Sequence, residues 1–371
     1  MENIRPTLVE VHIADIHFGA FNPKAQFDIL WNEFFLKIQD LQYDILCING
    51  DLFDHKFMAN SDAILMALDF VNLLYQDAHR KGATLVLLAG TESHDAGQLQ
   101  LFYNFRAQDF IIVEQIQFLY IKNKRILAIP ELYGVDESVY RSFLFEMGMY
   151  DGVIMHGTYK GSIYDTTTPT LNSPHAPIFQ MSDFMYCRGP IIAGHVHVPG
   201  CFDGHMYYCG SPLRYKFGEE EDKGFIVLTH NLNTSQYYLH FEPIVSYRYD
   251  TINMDEYIGR DPKELIDRVN ALRAQGIHNL RLHFTRTDDN LFGVIEAYFR
   301  NISSVSIQKP DLKKEQMIQA QVEQSNKYNE YHYLFDRNLT PEQILTRYIN
   351  QVRGCEYITT EELQNILRGF D

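Results

Sequence analysis

The sequence predicts an α/β chain, in the α+β variant, with a small second domain and a helical tail. Three observations carry this. From Leu8 to Asp95, strand-like and helix-like stretches alternate, and each strand ends in Gly, an acid or His. Near Ile244 the pattern changes and a short βαβαβ series follows. The chain then finishes with two short helices, each opened by a capping box.

Leu8–Ala14 reads as the first strand and runs into Asp15-Ile16-His17-Phe18-Gly19. Phe27–Leu41 has helical spacing through Leu30, Phe34, Ile38 and Leu41. Asp44–Asn49 is a second strand ending in Gly50-Asp51-Leu52-Phe53-Asp54. Asp62–Lys81 is helical in period and Gly82 closes it. Thr84–Ala89 is a third strand, followed by Gly90-Thr91-Glu92-Ser93-His94-Asp95. Ile126–Ile129, Val153–Met155, Ile191–Gly194, Tyr207–Ser211 and Phe225–Leu228 read as later strands, with Thr158–Pro190 as a long surface loop.

The second module is expected as strand Ser246–Ile252, a helix from Pro262 to Gln275, strand Leu280–Phe284, helix Asn290–Asn301 and strand Val305–Gln308. Asp311–Lys327 reads as a polar helix. Thr340-Pro341-Glu342-Gln343 and Thr359-Thr360-Glu361-Glu362 open the tail helices, whose apolar stripes include Leu345, Tyr348, Leu363 and Ile366. The expected domains are 1–245, 246–310 and 311–371.

Composition narrows the function classes. No stretch of about 18 apolar residues appears, so no membrane span is expected. Met1–Arg5 is not followed by an apolar signal core, which argues against secretion. Five scattered cysteines without a CxxC fit a reducing cytoplasm. The net charge of −16 argues against broad attraction to DNA. A nucleic-acid substrate would need bound cations, a local basic patch or a partner to offset that field.

The strand ends carry the chemistry. In Gly194-His195-Val196-His197 two imidazoles stand at i and i+2 after an apolar run, and such side chains point the same way in extended backbone. Asp15 and His17 repeat that spacing. Asp51, His94 and His156 supply further donors at other strand ends. Asp51 alone would be an ordinary turn residue and His156 alone a satisfied core imidazole; the combination is what suggests a two-metal site. A carboxylate such as Asp51 can bridge two cations about 4 Å apart. Mixed imidazole and carboxylate ligands suit Mn, Fe, Zn or Ni. His94 followed by Asp95 reads as a general acid oriented by a carboxylate. Asp54 is expected to orient its loop. Lys24, Arg188, Arg214 and Lys216 are candidate phosphate contacts by their place near the motifs.

Taken in order, Asp15-x-His17, Gly50-Asp51-x-x-Asp54, the His94-Asp95 loop, His156-Gly157 and Gly194-His195-x-His197 resemble the calcineurin-like metallophosphoesterase superfamily. Asp15–Gly19, Gly50–Asp54 and Gly210-Ser211-Pro212-Leu213-Arg214-Tyr215-Lys216-Phe217-Gly218-Glu219 with Lys223-Gly224-Phe225 are similar to SbcD-type DNA-repair nucleases. The resemblance covers the whole chain. It implies a metallophosphoesterase β-sandwich flanked by helices, with residues 246–310 as a capping, DNA-binding domain. It implies two divalent ions, manganese first among them. One would be held by Asp15, His17, Asp51 and His197, the other by Asp51, His156, His195 and the residue before the catalytic His94. That family loop is Gly-Asn-His-Asp/Glu, with Asn the ligand; here it is two residues longer and Ser93 stands in the Asn place. Either Ser93 binds weakly or through water, or Glu92 swings in.

The resemblance further implies a manganese-dependent double-strand exonuclease and single-strand endonuclease. It would be a homodimer, with an SbcC-type ATPase bound through the C-terminal helices. The alternatives are a phosphatase or cyclic-nucleotide phosphodiesterase on the same scaffold, or a non-catalytic scaffold joining DNA and ATPase.

Overall fold

The computed structural model describes residues 7–95, 97–105, 107–162, 176–275, 277–284, 289–300, 302, 304–308, 339–352 and 359–368. It is a mixed α/β structure built around two six-stranded sheets. In the first, β1 (Thr7–Ile13), β2 (Ile45–Asn49), β3 (Thr84–Leu88) and β4 (Phe110–Val113) are parallel neighbours in that order. The second sheet contains β5 (Gln117–Ile121), β6 (Lys124–Ile129), β7 (Gly152–His156), β10 (Ile191–Gly194), β11 (Gly200–Phe202) and β12 (Met206–Tyr208). Its order is β11-β12-β10-β7-β6-β5, and β6, β7, β10 and β12 are parallel. The hairpin of β13 (Gly224–Asn231) and β14 (Gln236–Pro243) completes the first sheet beside β1, antiparallel.

Side-chain alternation explains the layering. On β2, Ile45 and Cys47 face one way and join Leu8, Val86 and Leu88 against Ile126, Ala128 and Ile154 of the other sheet. Leu46 and Ile48 face the other way and pack under two helices. The first, α1 (Pro23–Leu30), continues through a wide π turn at Trp31–Phe35 into Leu36–Gln39. The second, α2 (Asp62–Lys81), lies beside it. Phe34, Phe70 and Leu74 are fully buried there, each contributing about 1.5–3 kcal/mol of burial. The outer face of the second sheet is covered by Leu144, Tyr150, Phe179 and Phe184.

Several boundaries differ from the sequence reading. The first helix starts at Pro23, before Phe27, because the Asn22 side chain accepts the Ala25 N–H at 3.0 Å and Pro23 takes the first position. β4, β5, β11 and β14 are additional to the expected strands, and all four lie at sheet edges; on β5 and β14 one face is wet and apolar alternation fades. The expected loop Thr158–Pro190 contains β8 (Thr158–Tyr159) paired with β9 (Ile178–Phe179) and a turn at Met181–Phe184.

The expected module appears as β15 (Arg248–Asn253), α3 (Pro262–Ala274), β16 (Ile277–His283), α4 (Asp289–Phe299) and β17 (Val305–Gln308), with strand order β15-β16-β17. Residues up to Leu282, with Asp289–Ile307, form one compact unit together with the two large sheets. A second unit comprises His283–Asp288 and Gln308–Asp371. Within it, α5 (Pro341–Val352) and α6 (Thr360–Arg368) pack on each other. Both capping boxes are made: Thr340 with Gln343, and Thr359 with Glu362. The expected helix Asp311–Lys327 lies outside the described residues. Among those residues, no helix is long and apolar enough to cross a membrane.

The two sheets meet most closely at their carboxyl edges. Asn49 Nδ2 donates to the Ile192 carbonyl at 3.1 Å, and His156 Nδ1 donates to the Asn49 carbonyl at 2.8 Å. A Cβ at Gly194 would stand 2.3 Å from Asn49 O and 2.9 Å from His156 Nδ1. Gly194→Ala should therefore lower stability by about 1–3 kcal/mol, the usual cost of overpacking. Urea denaturation checks this, and an unchanged midpoint would show that the edges are free to part.

Candidate metal centre

Parallel neighbours place their carboxyl ends on one edge, so β1, β2 and β3 deliver three loops side by side. Backbone bonds lace the first two together. Asp15 N–H donates to Gly50 O at 3.0 Å, His17 N–H to Asp51 O at 3.0 Å and Phe18 N–H to Leu52 O at 2.8 Å. Such tight lacing bends the chain into the left-handed region at Asp15 (φ 52°), His17 (φ 48°) and Asp51 (φ 50°), and His195 follows at φ 97°. Non-glycine residues enter that region at a cost, and functional sites are where such strain collects.

The loops bring Asp15, His17, Asp51, His94, His156, His195 and His197 together. Ligand atoms of Asp15, His17 and His197 lie within 4.8 Å of one another, as do those of Asp15, Asp51 and His156, and those of His17, Asp51 and His94. Asp51 stands between two poles: its Oδ2 is 3.8 Å from His17 Nε2 and 3.3 Å from His156 Nε2.

A fourth cluster joins His156 and His195 through Glu131, a residue outside the set expected from the sequence. Glu131 follows β6, and its N–H donates to Ala89 O at 3.2 Å. Its carboxylate lies 3.3 Å from His195 Nδ1 and 3.6 Å from His156 Nε2. Its one signal in the sequence is a place just past a strand end; it belongs to none of the quoted motifs. Ser93 and Glu92, the expected sources of this ligand, are both exposed on a helical turn, Glu92–Asp95. The two extra residues of the Gly90 loop are spent on that turn, which carries the Ser93 side chain into solvent.

Asp95 also has a different task from the one expected. Its carboxylate accepts the N–H groups of Leu52 at 3.1 Å, Phe53 at 3.2 Å and Gly90 at 2.9 Å, so it ties the second loop to the third. Burial, with the Asp51 charge, pushes its pKa up to about 7. The group that orients His94 is the Phe53 carbonyl, 3.2 Å from Nδ1. A carbonyl only accepts, so Nδ1 carries the hydrogen and Nε2 is left for chemistry.

Outer contacts fix the ligands. Asp15 accepts the His195 N–H at 2.9 Å. Glu219 Oε1 lies 3.7 Å from His197 Nδ1, and Glu219 Oε2 accepts the Tyr215 N–H at 2.9 Å. Lys223, fully buried, reaches the His197 carbonyl at 3.1 Å and Ser211 Oγ at 2.9 Å. Those contacts give the Gly210–Glu219 stretch its role in holding His197 in place. Asp54 Oδ1 is 3.9 Å from His17 Nδ1 and its Oδ2 is 2.9 Å from His55 Nδ1.

Of the candidate phosphate contacts, Lys24 and Lys216 are exposed. Arg214 instead donates to the carbonyls of Glu219 at 3.0 Å and Glu221 at 2.7 Å. Arg188 precedes β10, at the end of the strand away from His195. It is near the motif along the chain, and the strand carries it away.

The donor set fits divalent cations. The side chains of Asp51 and Glu131 are 5% and 4% exposed and Asp15 is fully buried. Among the described residues, no lysine or arginine pairs with any of them. His156 Nδ1 is committed to a carbonyl, which leaves Nε2, buried, facing the carboxylates of Asp51 and Glu131, where it can carry a proton or give its lone pair to a cation. Burial would lower the His156 pKa, but Asp51, Asp15 and Glu131 outweigh it and hold it well above the usual imidazole range. For Asp51, burial is likewise outweighed, by His156 and His17, and its pKa is held well below the carboxylate range. His17 Nε2 and His197 Nε2 face each other at 3.0 Å, so one must carry a hydrogen or both must share a cation. Mixed imidazole and carboxylate donors at this spacing suit a divalent cation.

No protein-family model and no curated protein matches the chain. Among solved structures, the chain is similar to a cold-active protein-tyrosine phosphatase of a psychrophilic Shewanella species. The identity is 13% over 63% of this chain and 80% of that one, with a TM-score of 0.30. A second structure of a cold-active protein tyrosine phosphatase matches at 12% identity over 62% of this chain and 78% of that one, with a TM-score of 0.29. Another solved structure matches at 13% identity over 64% of this chain and 99% of that one, with a TM-score of 0.40. At such scores these likenesses carry no argument about the site.

Asp95→Ala removes the acceptor for three buried N–H groups. The expected loss is about 2–4 kcal/mol, since each orphaned donor costs on the order of 1–3 kcal/mol and water relieves part of it. Chemical denaturation checks this; a loss under about 0.5 kcal/mol would show that Asp95 does not tie the loops.

Proposed function

We propose that this chain is a metal-dependent phosphodiesterase acting on DNA, an SbcD-type nuclease of the calcineurin-like metallophosphoesterase superfamily. The observation that carries the reading is the meeting of five separated motifs around Asp51, with Asp15, His17 and His197 at one pole and His156 and His195 at the other. Two divalent ions, manganese first among them, suit that mixture of imidazoles and carboxylates. When bound, they supply Lewis acidity toward a phosphoryl group and activation of water.

The chain's own groups do the rest. Asp51, gripped by the Thr91 N–H at 2.6 Å, keeps the two poles in fixed relation. His94 stands at the rim, half-buried, its Nδ1–H held by Phe53 O; as an imidazolium it would give the Nε2 proton to the departing oxygen and become neutral. The strained loops hold the ligands in position before substrate arrives, so little reorganisation is required at the moment of reaction.

DNA is favoured over a small phosphate ester by what adjoins the site. Rings run from His17 through Tyr215, Phe21 and Tyr247 to His278, with centroids 5.4, 6.2, 5.2 and 4.7 Å apart. That path leads from the candidate centre into the β15–β17 module, whose Arg248 is exposed. The −16 net charge makes the cations and a partner the source of positive field. Under this reading the chain is a cytoplasmic homodimer, and the capped pair α5 and α6 serves an SbcC-type ATPase.

Purified protein is assayed with manganese on linear DNA, a chromogenic phosphodiester and a phosphomonoester. Asp51→Asn should abolish cleavage of DNA. His94→Ala should lower it about 10²–10⁴-fold, the range for a lost general acid. Monoester turnover without DNA cleavage would replace this reading with a phosphatase, and bound metal without any turnover would replace it with a scaffold.

A further inference from the structure

We infer that Glu131, positioned by Thr91, is the anionic ligand that completes the His156–His195 cation position, in the role that the resembling family gives to an asparagine. The inference rests on the proposed two-metal reading and adds to it the residue that its motifs do not supply.

Three independent observations converge on Glu131. Its carboxylate is nearly sealed from solvent, at 4% exposure, yet its neighbours are imidazoles with no lysine or arginine paired to it among the described residues. His156 Nε2, fully buried and without a hydrogen-bond partner, faces it at 3.6 Å. Thr91 Oγ1 lies 3.3 Å from Glu131 Oε2 and 3.2 Å from Asp51 Oδ2, while the Thr91 N–H binds Asp51 Oδ1 at 2.6 Å. One residue thus orients both the carboxylate between the poles and the carboxylate of the second pole. Gly90 permits this: a Cβ there would stand 2.2 Å from both the nitrogen and Oδ1 of Asp51, so only glycine lets the loop close over that carboxylate.

The exposed Ser93 side chain does not do the same work, because it lies in solvent on the turn whose His94 and Asp95 face inward. With Asp15 and Asp51, Glu131 gives three carboxylates to balance two divalent ions, one negative charge more than an amide would leave. The second ion is therefore held by charge as well as by geometry. Thr91 is a positioning residue: its N–H holds Asp51, and its one hydroxyl hydrogen is left to orient Glu131.

The test is manganese binding to the full chain, followed by calorimetry and by the paramagnetic resonance of a coupled manganese pair. Wild type should bind two ions per chain. Glu131→Ala should lose the coupled signal and weaken the second ion by about 100-fold or more, and Thr91→Val by about 10-fold, in line with the weight of ligand-orienting groups. Glu131→Gln, of nearly the same shape, should fold normally and show an intermediate affinity. Thr91→Ser should bind as wild type does, which a purely packing role for the methyl group would not give. Adding Ser93→Asn to Glu131→Ala should restore nothing. A second ion held within twofold of wild type in Glu131→Ala, or recovered with Ser93→Asn, overturns the inference. If Glu131→Ala binds like wild type while wild type cuts DNA, this inference falls and the nuclease reading stands. If the second ion is lost as expected but wild type cuts no DNA, the inference stands and the nuclease reading falls.

Discussion

Three carboxylates that no lysine or arginine answers among the described residues set the terms for the rest of this molecule. Asp15, Asp51 and Glu131 sit among imidazoles at the edge where two sheets meet. Isolated, such charges are expensive to bury, and in proteins the cost is met by pairing, protonation or a metal. Here protonation of His156 can neutralise part of the charge, and divalent cations can neutralise more. The ligand atoms of such a cluster lie close enough together that they could hold a metal ion.

The surrounding structure is arranged to keep those charges from drifting apart. Asn49 stitches the two sheets together beside His156. Asp95 gathers three backbone donors from two loops, and Lys223 anchors the stretch that backs His197. The left-handed backbone at Asp15, His17, Asp51 and His195 is the conformational cost of turning side chains from parallel strand ends toward one point. Glycines at 90 and 194 allow the close approach that the turning requires.

Beyond the centre, the β15–β17 module shares a compact unit with the sheets, and an aromatic path connects it to the site.

The sequence by itself determined the alternation of strands and helices, the strand-end positions of the clustered acids and imidazoles, the βαβαβ order of the module and the capping of the tail helices. Each of these is local: period, capping chemistry and turn residues act within a few positions of the chain. It did not determine edge strands such as β14, whose apolar pattern is diluted by solvent on one face. Nor did it place Glu131 in the site or Ser93 outside it, and it gave Asp95 to His94 when its partners are the N–H groups of Leu52, Phe53 and Gly90. It put Arg188 near a motif from which a strand then carries it away. Those outcomes depend on which loops meet at a shared edge, and pairing of strands distant in the chain decides that. A carboxylate's neighbours are set by sheet order and register, which no window of adjacent residues contains.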